Sequence, residues 1–297
     1  MNAERMVQTR SELRQVVSCL GFTEGPIWRD DRVEFTDIPG NAIHSWSPSS
    51  GLRTVDPNAH FAIGLGMDHE GRRLNCEHTT RRVTRTSIDG HVEVLARSQD
   101  GHVLNSPNDV TITADGAIYF TDPPFGVRSE DGELHGYQHA MELPYCAVFR
   151  VTDDPDAPEP VLTSIYRPNG LVFDRTESRL FVTDSSERFR TIFVCEHADG
   201  RFSEPRAFAV LPAGVPDGMA VDNEDRLYVA GLDGVYVYDM ASSQDPLLGR
   251  IDVPEMVTNC CFGGPHLETL YITATTSLYA IDLATEGVAV PRPREVR

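Results

Sequence analysis

Six segments of the chain repeat one pattern: a short apolar run, a polar turn, then a second apolar run that ends on a small or acidic residue. They are Glu24–Asp37, Ile63–Glu77, Asn108–Asp122, Asn169–Asp184, Asp217–Gly231 and Asn259–Ala274. Each reads as a β-hairpin. The copies recur at intervals of roughly 40 to 60 residues, the spacing of propeller blades. Further strand-like runs stand between them, at Ala147 to Val151, Thr191 to Cys195, Gly234 to Tyr238 and Ser277 to Ile281. No convincing amphipathic helix interrupts the series. The expected fold is all-β, a six-bladed β-propeller with four strands per blade, filling residues 1–297 as one domain. A ring must close, and the last repeat runs out into a proline-rich tail. The segment from about residue 13 to 19, Leu13 to Cys19, is expected to supply the missing strand there and remove an open edge.

Composition narrows the partners. The 297 residues carry a formal net charge of −19, with 26 Lys and Arg against 45 Asp and Glu. A nucleic acid or an anionic membrane surface calls for a basic face, so neither is expected. The hydrophobic share of 40% suffices for a core. The six cysteines, Cys19, Cys76, Cys146, Cys195, Cys260 and Cys261, form no C-x-x-C pair and are expected to be reduced. The first twenty residues hold Glu4, Arg5, Arg10, Glu12 and Arg14 with no apolar secretion core. A soluble cytoplasmic protein, monomer or homodimer, is the expectation.

In a propeller the innermost strand of every blade starts at the same end of the central channel. The repeats begin with Glu24, Ile63, Asn108, Asn169, Asp217 and Asn259, so residues remote in sequence converge on one axis. Asn, Asp and Gly at strand starts are also ordinary turn chemistry, and one copy alone would mean little. Across the repeats, Glu24, Asn108, Asn169 and Asp217 offer two carboxylates and two amide oxygens. That set suits one hard divalent cation, calcium first, with magnesium and manganese next. With no histidine or cysteine at this phase, zinc fits less well, though iron or zinc stays an alternative.

Several motifs carry a resemblance. Thr23-Glu24-Gly25-Pro26, Asn105 to Asp109, Thr121 to Gly126, Arg167-Pro168-Asn169-Gly170 and Pro216-Asp217-Gly218 resemble the senescence marker protein/gluconolactonase/luciferin-regenerating enzyme family. Cys76-Glu77-His78 with Arg81 to Arg85 resembles its bacterial gluconolactonase branch. The match runs from about Phe22 to Ile281. The resemblance implies a six-bladed propeller with a catalytic divalent metal that opens sugar lactones; some members hydrolyse organophosphates. It implies metal ligands at Glu24, Asn169 and Asp217, with Asn108 on metal or substrate and Asp217 as general base. Two positions depart from the pattern. Ile63 stands where related gluconolactonases often carry asparagine, and Ser106 stands where animal relatives carry arginine.

The expected reaction is hydrolysis of a small sugar lactone to its hydroxy acid. Asp217 takes the proton of the attacking water, Asn108 donates to the substrate, and Glu24 and Asn169 hold the metal. Asn108, Ile63, Ser106 and Asn259 are expected on the substrate side. No Gly-x-Ser-x-Gly elbow occurs, which argues against a serine hydrolase. The segment from Asp122 to Tyr145, with His135 and His139, is either a surface loop or a lid. His78 and Arg81 to Arg85 are expected to be structural or superficial. Two other functions remain open at this level: a metal-dependent phosphotriesterase or fluorophosphatase, and a non-catalytic calcium-binding propeller.

Overall fold

The computed structural model describes residues 7–127, 140–242 and 244–292. Six small antiparallel sheets stand in a ring as the blades of a β-propeller. Their innermost strands are Thr23–Arg29, Ala62–Met67, Val110–Ile112, Pro168–Phe173, Met219–Val221 and Val257–Gly263. The first five blades run outward in chain order. In the sixth, the order from the axis is Val257–Gly263, Thr269–Ala274, Ser277–Asp282 and then Arg14–Val17 from the other end of the chain. No helix among the described residues is long and apolar enough to cross a membrane.

Local chemistry explains the hairpins. Asp30 and Asp31 form the two-residue turn between the first two strands, at φ of 47° and 58°. Short acidic side chains tolerate this left-handed region, which matches the twist of the flanking strands. Asp68, Asp174 and Asp222 close equivalent turns. In the last, Oδ1 accepts the backbone N–H groups of Glu224 and Arg226, both at 2.9 Å, while the Arg226 guanidinium closes on Oδ2 at 2.7 Å.

The core is divided among the junctions between blades, one apolar cluster to each. Ile43 meets Leu65 between the first and second blades. Leu74 meets Phe120 and Phe149 at the next. Tyr119 meets Phe173 and Val182, Phe181 meets Leu227 and Val229, and Tyr228 meets Phe262. Val33 and Phe35 meet Tyr271 and Leu278 where the sixth blade returns to the first. Phe35, Phe120, Phe149 and Phe181 are fully buried, each stabilising by about 1.5–3 kcal/mol.

Near the axis the blades touch backbone to backbone. A Cβ on Gly25 would stand 2.2 Å from the carbonyl oxygen of Ile63, one on Gly64 2.4 Å from that of Asn108, and one on Gly170 2.5 Å from that of Asp217. Glycine after the first residue of a repeat is therefore a packing requirement at the neck of the channel.

The N-terminal strand pairs Arg14 with Ala280 and Gln15 with Tyr279. The Arg14 guanidinium forks onto Asp282 at 2.8 and 3.1 Å, and the Arg10 amide donates to the Asp282 carbonyl at 2.7 Å. Removing residues 1–19 would leave Ser277–Asp282 as a bare edge. The truncated protein is expected to melt several degrees lower, about 2–4 °C per kcal/mol lost, and to aggregate on concentration. Thermal scans and light scattering check this; an unchanged melting point would mean that the blade closes without the strand.

Candidate active site

The six repeat starts meet at one end of the channel. Glu24, Ile63, Asn108, Asn169, Asp217 and Asn259 are placed there by strand entry; all are buried except Asp217, which is half-buried. Neighbouring blades lock their backbones. The hydroxyl of Thr36 donates to the Ile63 carbonyl at 2.9 Å, that of Thr121 to Asn169 at 2.7 Å, and that of Thr183 to Asp217 at 3.1 Å. The next residue in each case is an aspartate that grips its own blade's incoming loop. Asp37 accepts the N–H groups of Gly21 and Phe22, each at 3.1 Å. Asp122 accepts those of Asn105 and Ser106, each at 2.8 Å, and Asp184 accepts that of Tyr166 at 3.2 Å.

Side chains then pair across the neck. The Asn259 Nδ2 donates to Glu24 Oε2 at 3.0 Å, and the same carboxylate oxygen accepts the N–H of Gly25. The Asn259 Oδ1 accepts the N–H of Cys260 at 2.8 Å, so both ends of that amide are engaged. The Asn169 amide lies close enough to Asp217 to oppose the upward shift of its carboxyl. Asn108 is held through its backbone, its N–H donating to Thr121 at 2.9 Å and its carbonyl accepting from Gly64 at 2.8 Å. Ile63 belongs to none of the apolar junction clusters described above, although it is buried. Ser106 faces the start of the 122–145 segment: its hydroxyl donates to the Pro123 carbonyl at 2.6 Å and accepts the N–H of Gly126 at 2.9 Å.

Asp109 is the residue that repeat phase did not single out. It follows Asn108 where four other copies carry glycine. Its carboxylate accepts the N–H of Val110 at 2.9 Å and, across the blade junction, that of Leu171 at 3.3 Å. The only sequence signal was a charged residue in a position otherwise reserved for glycine or a small thiol.

Electrostatics set this cluster apart. Burial pushes the Glu24 carboxyl up to about 7, with the Asp109 charge adding to the rise and the bonds from Gly25 and Asn259 opposing it. Burial likewise raises Asp109 to about 7. Asp217 is raised well above the usual range, first by burial and then by the charges of Glu24 and Asp109. Among the described residues no arginine, lysine or histidine is an influence on these three. Carboxyl groups gathered with no counter-charge among the described residues are the donor chemistry that a hard cation satisfies. Among the described residues no three His, Cys, Asp or Glu side chains converge on one point. A cation here would accordingly need the amide oxygens of Asn169 and Asn108 beside the carboxylates of Glu24 and Asp217.

The flanks of the 122–145 segment are anchored. Glu142 meets Arg81 at 3.2 Å and the N–H of Val103 at 3.1 Å, and the Tyr145 carbonyl accepts from Asn105 Nδ2 at 3.0 Å. Arg81 also donates through Nε to the Leu104 carbonyl at 2.6 Å. His135 and His139 lie outside the described residues. Beyond the neck the channel widens into a cavity of about 540 Å³, lined by Trp28, Met67, Phe173 and Phe262. The C-terminal residues cross its far end: Val288 N–H donates to the Val221 carbonyl at 2.9 Å, and Arg292 donates to the carbonyls of Phe173 at 3.1 Å and Asp174 at 2.6 Å.

Comparison with known proteins agrees with this architecture. A gluconolactonase of Zymomonas mobilis is 25% identical over 311 residues, covering 96% of this chain and 85% of that one. A pentonolactonase of Haloferax volcanii is 29% identical over 260 residues, covering 84% and 80%. The solved structure of a gluconolactonase from Xanthomonas campestris superposes with a TM-score of 0.86 at 31% identity, over 95% of this chain and 92% of that chain. The family model for the SMP-30/Gluconolactonase/LRE-like region matches residues 22–276, and the chain belongs to that family.

Proposed function

We propose that the protein is a metal-dependent lactonase that opens a small sugar lactone to the hydroxy acid. The observation that carries this reading is the carboxyl pair of buried Glu24 and half-buried Asp217, raised together with no counter-charge among the described residues, at a neck that also presents Asn108 and Asn169. The gluconolactonase and pentonolactonase relatives support the same substrate class.

In this reading Glu24, Asn169, Asp217 and Asn108 hold one divalent cation, calcium first. When bound it would supply Lewis-acid polarisation of the lactone carbonyl. Asn259 and the Gly25 N–H fix the Glu24 carboxylate in one orientation. Asp217, steadied by Asn169, accepts a proton from the water that adds to the carbonyl carbon. It returns that proton to the ring oxygen as the acyl C–O bond breaks. Asn108 donates from Nδ2 to the carbonyl oxygen as charge builds there. The blade-to-blade threonine bonds keep these groups from relaxing, so little reorganisation is needed as the reaction proceeds.

A pH-stat assay on aldonolactones, run with and without chelator, tests the reading. Turnover well above the buffer rate is expected, lost on chelation and restored by a divalent cation. Lactone cleavage at the buffer rate with every metal would refute it, and paraoxon run in parallel tests the phosphotriesterase alternative. Glu24→Gln removes one of two anionic ligands. Metal affinity in calorimetry should fall by at least ~10–100-fold, the loss that follows removal of even an outer-sphere partner. The metal-free variant should be no less stable, because a buried uncompensated carboxylate has been neutralised. Ile63→Asn restores a hydrogen-bonding amide at the neck. A single bond worth about 0.5–1.5 kcal/mol should raise kcat/KM on gluconolactone a few-fold and lower it on an alkyl lactone. Equal losses on both would place Ile63 in packing.

A further inference from the structure

Five of the six repeats follow their first residue with one that has no side chain or a small one: Gly25, Gly64, Gly170, Gly218 and Cys260. The third follows Asn108 with Asp109. At the glycines the next blade lies against the bare Cα; a Cβ on Gly25 would stand 2.8 Å from the Leu65 nitrogen. The third blade meets the fourth through a carboxylate instead. Asp109 Oδ2 accepts the N–H of Leu171 at 3.3 Å. Its Oδ1 accepts the N–H of Val110 at 2.9 Å and lies against the second blade, where a Cβ on Gly64 would stand 2.8 Å from it. The bond to Val110 is ordinary strand-start chemistry. The bond to Leu171 spans 62 residues of chain and crosses a blade junction.

That bond holds a bulge. Pro168 pairs with Asp184 and Leu171 with Val182, so the inner strand carries one extra residue, and Asn169 and Gly170 leave the ladder. Backbone groups freed by a bulge need partners from elsewhere. The third blade supplies two. The Thr121 hydroxyl donates to the Asn169 carbonyl at 2.7 Å, and Asp109 takes the Leu171 N–H. Asp109 and Thr121 are themselves one unit. The Asp109 N–H donates to the Thr121 hydroxyl at 3.1 Å, and the Thr121 N–H donates to the Asp109 carbonyl at 3.0 Å. The same Thr121 accepts the Asn108 N–H through its carbonyl at 2.9 Å. Asn108 and Asn169 are thus fastened to one pair of residues. The Asp109 carboxylate itself borders the chamber beyond the neck, beside Gly25 and Asn259.

We propose that Asp109 is a positioning residue of the site: by bridging the third blade to the fourth, its carboxylate fixes the bulge that carries Asn169 and sets the span across which Asn108 and Asn169 present their amide oxygens. This inference rests on the cation site of the lactonase reading. Asp109 also bears on Glu24 and Asp217 through its charge, so position and charge must be separated by experiment.

Calcium affinity by calorimetry and deuterium exchange at the Leu171 amide, measured on the full chain and its variants, make that separation. In Asp109→Ala the Leu171 N–H loses its acceptor. Its exchange should accelerate, and calcium affinity should fall by ~10–100-fold, the scale of losing a partner that orients a metal ligand. Asp109→Asn has the same shape without the charge. Its amide oxygen can still accept from Leu171, so it should keep the protection and recover part of the affinity. With calcium saturating, Asp109→Ala should lower kcat on an aldonolactone and leave KM within about twofold, the signature of a group that does not bind the substrate. Thermal melting confirms folding. Should Asp109→Ala fail to fold, Asp109→Gly, which installs the residue found in four other repeats, takes its place. Equal losses of affinity in Asp109→Ala and Asp109→Asn, with Leu171 still protected in the latter, would assign the effect to charge and overturn the positioning role. Undiminished affinity in a variant whose Leu171 amide exchanges freely would overturn it as well. Either result leaves the lactonase reading standing. Calcium affinity that follows Leu171 protection in a protein that turns over no lactone overturns the lactonase reading and keeps the positioning role.

Discussion

Everything at the neck depends on a hydroxyl-to-carbonyl hydrogen bond between adjacent blades. Thr36, Thr121 and Thr183 each end a second strand and donate to the carbonyl of the residue that starts the next blade, at 2.9, 2.7 and 3.1 Å. A propeller lacks continuous backbone ladders between its blades, and only isolated backbone bonds, such as Gly64 N–H to the Asn108 carbonyl at 2.8 Å, join the threonine bonds in preventing them from sliding on one another. These bonds fix the axial level at which Ile63, Asn169 and Asp217 present their side chains. The glycines at 25, 64 and 170 bring the backbones near enough for the arrangement to form. The aspartate after each threonine grips the incoming loop of its own blade, so position is set both across the junction and along the chain.

A rigid neck makes it possible to bury charge. Glu24 is buried and Asp109 and Asp217 are half-buried, so the charged form of each is disfavoured. Held as they are, their carboxyl groups are displaced upward by burial and by one another. The hydrogen bonds from Gly25, Asn259 and Leu171, with the nearby Asn169 amide, offset only part of that cost. Without a cation the upward shift favours protonated carboxyl groups, whereas a bound cation would favour their charged forms. That competition is the physical basis for reading the neck as a cation site.

The fold was legible because a sixfold hairpin repeat has few solutions, and the phase of the repeat placed Glu24, Asn108, Asn169, Asp217 and Asn259 at one level. What the phase could not convey is how each side chain is spent. Asn259 is engaged at both ends, on Glu24 and on Cys260. Ser106 turns to the Pro123–Gly126 bend. Such assignments depend on χ angles and loop paths, which have no period in sequence. Asp109 escaped notice for a related reason: aspartate at a strand start is common turn chemistry, and its carboxylate gains meaning only once Leu171 of the next blade lies against it.

Function and stability are segregated along the axis of this propeller. At the far end, Asp68, Asp174 and Asp222 are each met by an arginine of their own turn at 2.6 to 2.9 Å, and the C-terminal tail is bound across the opening. Charge there is neutralised locally, which favours a closed and stable end. At the neck the half-buried Asp109 and Asp217 have amides and backbone N–H groups for partners among the described residues. An arginine moved inward to Glu24 or Asp217 would neutralise the cluster as it does at the far end. It would also take the place of any bound cation and leave nothing to polarise a carbonyl. A neck with no guanidinium on its carboxylates among the described residues is therefore the arrangement that the proposed cation requires.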